Sequence, residues 1–347
     1  MNRLGSSGQG ITLPLGPFVL SGGKDFDAKR VQNRINKVLS GVPKDYRTKD
    51  FNAVGGAWRT LAQIHMEKTD HPLRIVHQYS ITAAEARELA DWVLAQNRST
   101  LEKQAGVSKR RSETLPYAAL NLIGLIDHLG IETVHFSAWG VREGILHGEM
   151  EPKMRAVDPL LAGCSAWGGR QGVDPALPRA LDGWLQPVAS ALPEVFGEER
   201  DALLTSAACR LADLGARLHP EHRPELVFDQ VLWAPIAGQT HAERAFMAMT
   251  LYARYGGTAK TPRADTVNRL LSEVGQKRAR ALGMAMRLAC DFSGRSPQLL
   301  ANAAISIGKS QLKVTAVNGY AAMLLGSQTK RRAKALADAM DLELADF

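Results

Sequence analysis

The sequence is poor in cysteine and has no long apolar run. Its three cysteines, Cys164, Cys209 and Cys290, are far apart and match no metal-binding or redox spacing. Each is therefore expected to be a buried thiol in a reducing cytosol. No apolar segment approaches the roughly 20 residues that cross a bilayer, and residues 1–10 lack the apolar core of a signal peptide. We predict a cytoplasmic protein without a membrane span.

Several catalytic sequence motifs are also absent. There is no G-x-x-x-x-G-K-[ST] phosphate loop, no G-x-G-x-x-G after a predicted strand, and no G-x-S-x-G nucleophile elbow. The sequence contains neither an internal repeat nor a low-complexity segment. These absences argue against the common P-loop, dinucleotide-binding and serine-hydrolase sites.

What the sequence does contain is an excess of positive charge. Its 43 Lys and Arg against 35 Asp and Glu leave a formal net charge of +8. This charge favours an anionic partner such as nucleic acid, polyphosphate or a phosphorylated metabolite. The basic residues are scattered, with short clusters at 109–111 and 330–332, so charge alone does not choose between these ligands.

The first 150 residues alternate between predicted strands and helices. Predicted strands occupy 11–21, 51–54 and 131–139. Five helices are predicted. The first starts at Asp25 or Asp27 and runs to about residue 39, and the second covers 58–66. The third runs from the Thr82–Glu85 capping box to about residue 96, the fourth covers 115–129 and ends before Gly130, and the fifth covers 140–148. Such alternation is typical of an α/β layer.

From about residue 151 the pattern becomes helical. Helices are predicted at 178–192, 200–218, 242–255 and 264–290. After residue 293, two β-type segments flank Lys309 and Ser310 as a β-hairpin, and a basic helix follows at 329–340. The predicted fold class is α/β plus all-α, with a small C-terminal α+β segment.

The stretch AVGGAWRTLA (53–62) leads from a strand through Gly55 and Gly56 into a helix. Such a turn can present the N–H groups of Gly56, Ala57 and Trp58 at a helix N-terminus, where the helix dipole favours an anion. Arg59 lies in the first helical turn, where a cation suits the helix poorly unless an anion is bound. A tight structural turn is the alternative interpretation, and the residues alone leave both open.

A second strand-to-helix turn lies in WGVREGIL (139–146). It places Arg142 and Glu143 in the first helical turn, where a glutamate commonly interacts only with the helix dipole.

The segment LADLGARLHPEHRP (211–224) raises the question of a metal site. Ala212 precedes Asp213 where the H-D motif of metal-dependent phosphohydrolases needs a histidine. His219 and His222 could ligate a metal, but three or more protein ligands in a defined arrangement are not visible. We therefore predict solvated histidines at a helix end and no metal ligand.

Four stretches in this order resemble the exopolyphosphatase / guanosine pentaphosphate phosphohydrolase (Ppx/GppA) family. They are ITLPLGPFVL, AVGGAWRTLA, RRSETLPYAALNLIGLIDHLGIETVHFSAWGVREGIL and LADLGARLH, of which the third is long and specific. The resemblance implies the second lobe of an actin-like (ribonuclease H-like) fold at 1–150. It also implies an HD-like helical domain without metal ligands at 151–292, and a C-terminal β-hairpin and helix at 293–347.

Members of this family cleave the terminal phosphoanhydride of polyphosphate or pppGpp with Mg²⁺ and a carboxylate that activates water. The resemblance therefore implies polyphosphate or pppGpp as ligand, Mg²⁺ for the full-length enzymes, and a homodimer formed through the helical domain. It implies neither a membrane nor a nucleic-acid partner. The phosphate-binding residues that it implies are Gly55, Gly56, Ala57, Arg59, Arg111 and Arg142.

Three family elements have no counterpart in this sequence: the D-x-G-S-N-S-type loop, the catalytic glutamate and the D-x-G-G-G-S-x-E loop. The expectation is a C-terminal portion of such an enzyme, lacking the first lobe, with no catalytic residue or metal ligand and no appreciable activity on its own. One alternative is a non-catalytic module that binds polyphosphate or nucleic acid. Another is an active HD-type metal hydrolase, against which Ala212 argues.

Overall fold

A computed structural model describes residues 10–104, 106–169, 174–258, 260–317 and 319–346. The chain divides into two compact units, Met1–Met150 and Glu151–Phe347. The further separation of 293–347 as a domain of its own stays a prediction.

The first unit contains a three-stranded sheet. Its strands are β1 (Asp50–Val54), β2 (Tyr79–Thr82) and β3 (Thr133–Ser137), in the order β1-β3-β2. The central strand β3 runs parallel to β1, with Val54 opposite Ser137, and antiparallel to β2. Both parallel strands therefore end at the same edge of the sheet. Sequence analysis predicts β1 and β3 but not the short strand β2.

Seven α-helices accompany this sheet in the described residues of the unit. They are α1 (Pro17–Ser21), α2 (Ala28–Leu39), α3 (Gly56–Lys68), α4 (Ala83–Ala95), α5 (Arg98–Glu102), α6 (Lys109–Leu129) and α7 (Val141–Glu149). The predicted caps are confirmed: the Asp27 carboxylate accepts from the Arg30 N–H, and Thr82 and Glu85 form a reciprocal capping box. Gly130, with φ of 73°, ends α6. The core lies where α2 and α4 pack on α6 and where α3 and α4 pack on the sheet.

The predicted strand at 11–21 is wrong. Its second half is the helix α1, which begins with Pro17 at the first helical position behind an extended Gly16. Proline suits that position because its φ is already helical and its missing N–H would have no helical partner there. Gly22, with φ of 59°, ends the helix one turn later.

The second unit is mainly helical. Its helices are α8 (Pro152–Arg155), α9 (Pro159–Gly168), α10 (Leu177–Ala191), α11 (Glu198–Arg210), α12 (Arg223–Trp233), α13 (His241–Arg254), α14 (Ala264–Leu270), α15 (Glu273–Ser293), α16 (Pro297–Leu300), α17 (Ala321–Leu324) and α18 (Ser327–Ala339). Nearly every residue of α13 is buried, because α12 and α15 pack along it. This helix forms the centre of the unit.

One predicted helix ends earlier than expected and another is divided in two. The helix predicted at 200–218 ends at Arg210, and the following turns are held by Tyr255, whose hydroxyl accepts from the Gly215 N–H and donates to the Ala212 carbonyl. The helix predicted at 264–290 is two helices, because the Ser272 side chain caps α15 at Gly275.

The predicted C-terminal hairpin is confirmed as β4 (Ala303–Ile307) and β5 (Gln311–Ala316), with a short β6 (Glu343–Leu344) parallel to β5. A mixed α/β unit followed by a mainly helical one confirms the fold class at this level. In the part of the chain that the structure describes, no helix combines the length and apolar character of a membrane span.

Candidate phosphate-binding site

The candidate site lies where β1 and β3 end. Val54 and Ser137 are paired across the two parallel strands, and each strand is followed by a turn that opens a helix, α3 after β1 and α7 after β3. Ligands of α/β sheets commonly bind outside the carboxyl ends of the strands. The fold thus brings the two turns that sequence analysis singles out to one edge.

The turn before α3 requires glycine. Gly55 has φ of 132° and ψ of 168°, a conformation open almost only to glycine. No side chain of the described residues caps α3. Helix geometry leaves the N–H groups of Gly56, Ala57 and Trp58 without an intrahelical acceptor, because the first helical bond joins the Arg59 N–H to the Gly55 carbonyl. This end of the helix is therefore suited to an anion.

Arg111, on α6, is held against this turn. Its Nη1 donates to the Thr60 hydroxyl at 3.0 Å and to the Gly106 carbonyl at 3.3 Å. The Thr60 hydroxyl in turn donates to the Gly56 carbonyl at 3.0 Å. A Cβ on Gly56 would lie 3.3 Å from Nη2 of Arg111, so only glycine allows this approach without a shift. A guanidinium is thus fixed at the positive end of α3, where a bound anion would balance both charges.

Arg59 connects the two turns. It lies in the first turn of α3, and its Nη1 donates to the carbonyl of Ala138, just beyond β3, at 3.3 Å. Arg142 lies in the first turn of α7 and is exposed. The structure therefore gathers Gly55, Gly56, Ala57, Arg59 and Arg111 at one turn and places Arg142 on the neighbouring one. Their role in binding phosphate stays a prediction.

Glu143 has the structural role that its position predicts. Its carboxylate accepts from the Gly140 N–H at 2.7 Å and caps α7. This hydrogen bond holds the pKa of Glu143 below its usual value, and the charges of Arg142 and Arg59 act in the same direction. A carboxylate engaged in this way is poorly placed to take a proton from water.

Thr60 is the residue at this site that sequence reasoning misses. A hydroxyl four residues after a glycine on the same helix is the signal that could have found it, because the two positions lie on one helix face. Its importance becomes visible only when Arg111, distant in sequence, is placed beside it.

Among the described residues, the first unit brings no three His, Cys, Asp or Glu side chains together as a metal site. Mg²⁺ prefers about six oxygen ligands. Among the residues that the structure describes, the group of three side chains that could hold a metal is His219, Glu221 and His222, in the second unit. Two imidazoles and one carboxylate do not fit Mg²⁺.

The cysteines and Asp213 are unsuited to catalysis. Burial raises the pKa of Cys164 to about 12 and that of Cys290 to about 11, and it raises the pKa of Cys209 as well. All three are neutral thiols at physiological pH and not nucleophiles. Asp213 is buried beside the buried Arg254 and the exposed Arg295, each 3.7 Å from its carboxylate. Beside Ala212, this aspartate is part of an ion-pair network.

Two family models match the chain. Residues 24–153 match the Ppx/GppA phosphatase family, and residues 188–344 match the model described as exopolyphosphatase, C-terminal. Among curated proteins, Retrograde regulation protein 2 of Saccharomyces cerevisiae is 27% identical over 214 residues, which are 58% of this chain and 35% of the yeast protein. The chain thus spans about a third of the length of this relative.

Solved structures of an Aquifex aeolicus protein are also similar. The type II variant of its Ppx/GppA phosphatase is 20% identical, with a TM-score of 0.35, over 41% of this chain and 49% of that one. A second structure of the Aquifex aeolicus PPX-GPPA enzyme is 22% identical, with a TM-score of 0.36, over 40% and 48%. The chain spans about half the length of these structures.

Proposed function

The chain belongs to the Ppx/GppA phosphatase family, and from this premise we propose that its Gly55 turn binds the phosphate groups of polyphosphate or pppGpp. The observation that carries the proposal is the Arg111 guanidinium fixed against Gly56 at the uncapped start of α3. In this proposal the turn is one wall of a phosphohydrolase site. In this proposal, the metal and the base that hydrolysis needs are supplied from outside this turn.

Each residue has a distinct part in binding. The N–H groups of Gly56, Ala57 and Trp58 donate to one phosphate, whose charge the dipole of α3 stabilises. Arg111 presents its fork from the side of α6, and planar guanidinium groups bind phosphate oxygens in pairs. Arg59 and Arg142 extend the positive charge toward α7, so a chain of phosphates could follow the edge of the sheet.

Hydrolysis of a phosphoanhydride needs more than this turn supplies. A metal must neutralise the phosphate charge, and a base must orient the attacking water. Glu143 is engaged as a helix cap, and no group of three potential metal ligands lies at this turn among the described residues. We therefore propose that the isolated chain binds polyphosphate without appreciable hydrolysis. Mg²⁺-dependent release of phosphate by the purified chain would overturn this part.

Calorimetric titration of the purified chain with tripolyphosphate tests the binding site. We expect saturable binding that Arg111→Ala weakens by about tenfold, because a hydrogen bond to a charged group is worth about 1.5–3 kcal/mol. Arg110→Ala is the matched control, since Arg110 is the exposed neighbour on the same helix and its loss changes the net charge equally. Equal effects of the two substitutions would reduce binding to general charge attraction and reject the site.

The name of the yeast relative favours a second candidate function. The name gives that protein a part in regulation, and the alternative that we propose for this chain is a non-catalytic regulatory module that binds polyphosphate or nucleic acid. Competition between tripolyphosphate and single-stranded DNA on the purified chain distinguishes these ligands. The regulatory alternative with nucleic acid requires that DNA bind at least as tightly as tripolyphosphate at the same ionic strength.

The second unit has its own proposed role. We propose that its helices form an HD-like domain without HD-type metal chemistry and that this domain joins two copies of the chain. Light scattering on the purified chain tests the homodimer, and a mass of about 37.7 kDa, that of one chain, would exclude it.

A further inference from the structure

We propose that His219, Glu221 and His222 form a binding site for a transition-metal ion of the Zn²⁺ type. One ligand atom from each side chain can be chosen so that all three lie within 4.8 Å of one another. Two imidazole nitrogens and one carboxylate oxygen form a donor set that Zn²⁺ accepts, with a fourth position left for water or another ligand. This site lies in the second unit and does not depend on the proposed phosphate site. It departs from the sequence-based expectation of no metal ligand in this segment, because the structure adds Glu221 to the two histidines.

The local backbone explains why these side chains meet. The His222 N–H donates to the His219 carbonyl at 3.1 Å, so the three residues and Pro220 form one tight turn directly before α12. In such a turn, residues three apart are brought close together, and the two imidazole centroids lie 5.8 Å apart. The turn thus brings the two histidines together through backbone hydrogen bonding, without help from a metal.

The neighbouring Arg223 has partners outside the cluster. The Arg223 guanidinium donates to the Leu218 carbonyl at 3.0 and 3.3 Å and lies over the Tyr255 ring. Its hydrogen bonds tie the turn to the start of α12 and direct its positive charge toward the backbone. Arg217, before the turn in sequence, is exposed. Glu221 supplies the negative charge that favours a cation at this point.

Neither the cysteines nor Mg²⁺ should interfere with Zn²⁺ binding at this site. The three cysteines are buried and their pKa values are raised by that burial, so they offer no thiolate to Zn²⁺ at neutral pH. Mg²⁺ requires oxygen ligands and gains little from imidazole. Selective binding of Zn²⁺ in an excess of Mg²⁺ is therefore expected.

The test is a titration of the full chain, first treated with EDTA, with Zn²⁺ against a chromogenic chelator at neutral pH. We expect one Zn²⁺ per chain, bound equally well in an excess of Mg²⁺. Removal of an outer-shell partner typically weakens metal binding by about 10–100-fold, so loss of a direct ligand in His219→Ala, Glu221→Ala or His222→Ala should cost at least about tenfold.

The control is His147→Ala, which removes another exposed histidine from α7 in the first unit. It should leave Zn²⁺ affinity unchanged. All three candidate ligands are exposed and the hydrogen bond of the turn is made by backbone atoms, so the variants should melt at the wild-type temperature without metal. Absence of saturable Zn²⁺ binding, or unchanged affinity in His219→Ala/His222→Ala, would overturn the site.

Discussion

Nη1 of Arg111 lies 3.0 Å from the hydroxyl oxygen of Thr60 and donates a hydrogen bond to it. Because the same hydroxyl donates to the Gly56 carbonyl, the guanidinium, the hydroxyl and the glycine turn form one connected unit. The cation is held in place before any ligand arrives. Such preorganisation lowers the entropic cost of binding.

Arg111→Lys should separate charge from geometry at this turn. Lysine keeps the positive charge but lacks the planar fork that reaches Thr60 and a phosphate together. We expect weaker tripolyphosphate binding than in the wild-type chain, with an unchanged dependence on salt because the charge is retained. Calorimetry at two salt concentrations measures both the affinity for tripolyphosphate and its dependence on salt. Wild-type affinity in this variant would show that the fork has no role.

Gly55→Ala should destabilise the first unit. The φ of 132° at Gly55 lies in a region that side chains rarely adopt, and such strain costs about 1–3 kcal/mol. Gly144→Ala is the control, because Gly144 lies inside α7 with open space around it. Alanine there should stabilise the helix by up to about 1 kcal/mol. Urea unfolding followed by circular dichroism measures both changes, and equal effects would contradict the assigned strain.

Stability of the first unit should fall as the pH is lowered from 7.5 to 5.5. Burial lowers the pKa of His65 from its ordinary value of 6.5, although Glu85 and Glu88 oppose this shift. The unfolded chain therefore binds a proton below about pH 6.5 that the folded chain resists, and the stability from neutral His65 is lost as the pH falls. His65→Gln should show a weaker pH dependence of the urea midpoint than the wild type. The exposed His147→Gln should match the wild type.

The Arg200–Glu243 pair should be important for the second unit. Nε of Arg200 donates to Glu243 at 2.6 Å, and Glu243 also accepts from the Thr240 N–H. Burial acts to raise the pKa of Glu243, but the hydrogen bonds from Arg200 and Thr240 outweigh it and hold the pKa below 4.5. Glu243→Gln should cost about 1.5–3 kcal/mol at neutral pH, because it removes the charge that the part-buried Arg200 binds.

The pH dependence of this pair has a definite sign. The stability from ionised Glu243 is fully present above about pH 4.5, the unfolded value, and is lost as the pH falls through the lower folded value. Glu243→Gln should therefore lose less stability than the wild type between pH 5 and pH 3. Glu225→Gln, at an exposed position in the first turn of α12, should follow the wild-type curve.

Gly283→Ala should destabilise the packing of α13 against α15. A Cβ at Gly283 would lie 2.2 Å from the carbonyl oxygen of Thr250, a backbone atom that cannot move alone. We expect a loss of about 1–3 kcal/mol, the usual cost of overpacking a core. Gly183→Ala, in α10 with open space around it, should instead stabilise the chain. A thermal melt distinguishes them, and a stabilised Gly283→Ala would refute the close approach.

Local sequence signals were sufficient for most elements of this fold. Caps at Asp27 and Thr82 and the terminal Gly130 mark helix ends through hydrogen bonds made within a few residues. The prediction fails at 11–21 because the segment's β-type composition outweighed Pro17, which starts α1. It also fails at 200–218, where the end of α11 is followed by turns held by Tyr255, 40 residues beyond Gly215.

At the candidate phosphate site, too, some features follow from local sequence and others only from the tertiary structure. The sequence by itself determined the Gly55–Gly56 turn and the helix behind it, because both follow from contacts between neighbouring residues. Only the tertiary structure decided that Arg111 reaches Thr60, that Arg59 crosses to Ala138, and that two strand-to-helix turns share one edge. These relationships join residues about 50 to 80 positions apart, at distances set by how α6 and β3 pack on the rest of the first unit. No local preference encodes such a distance.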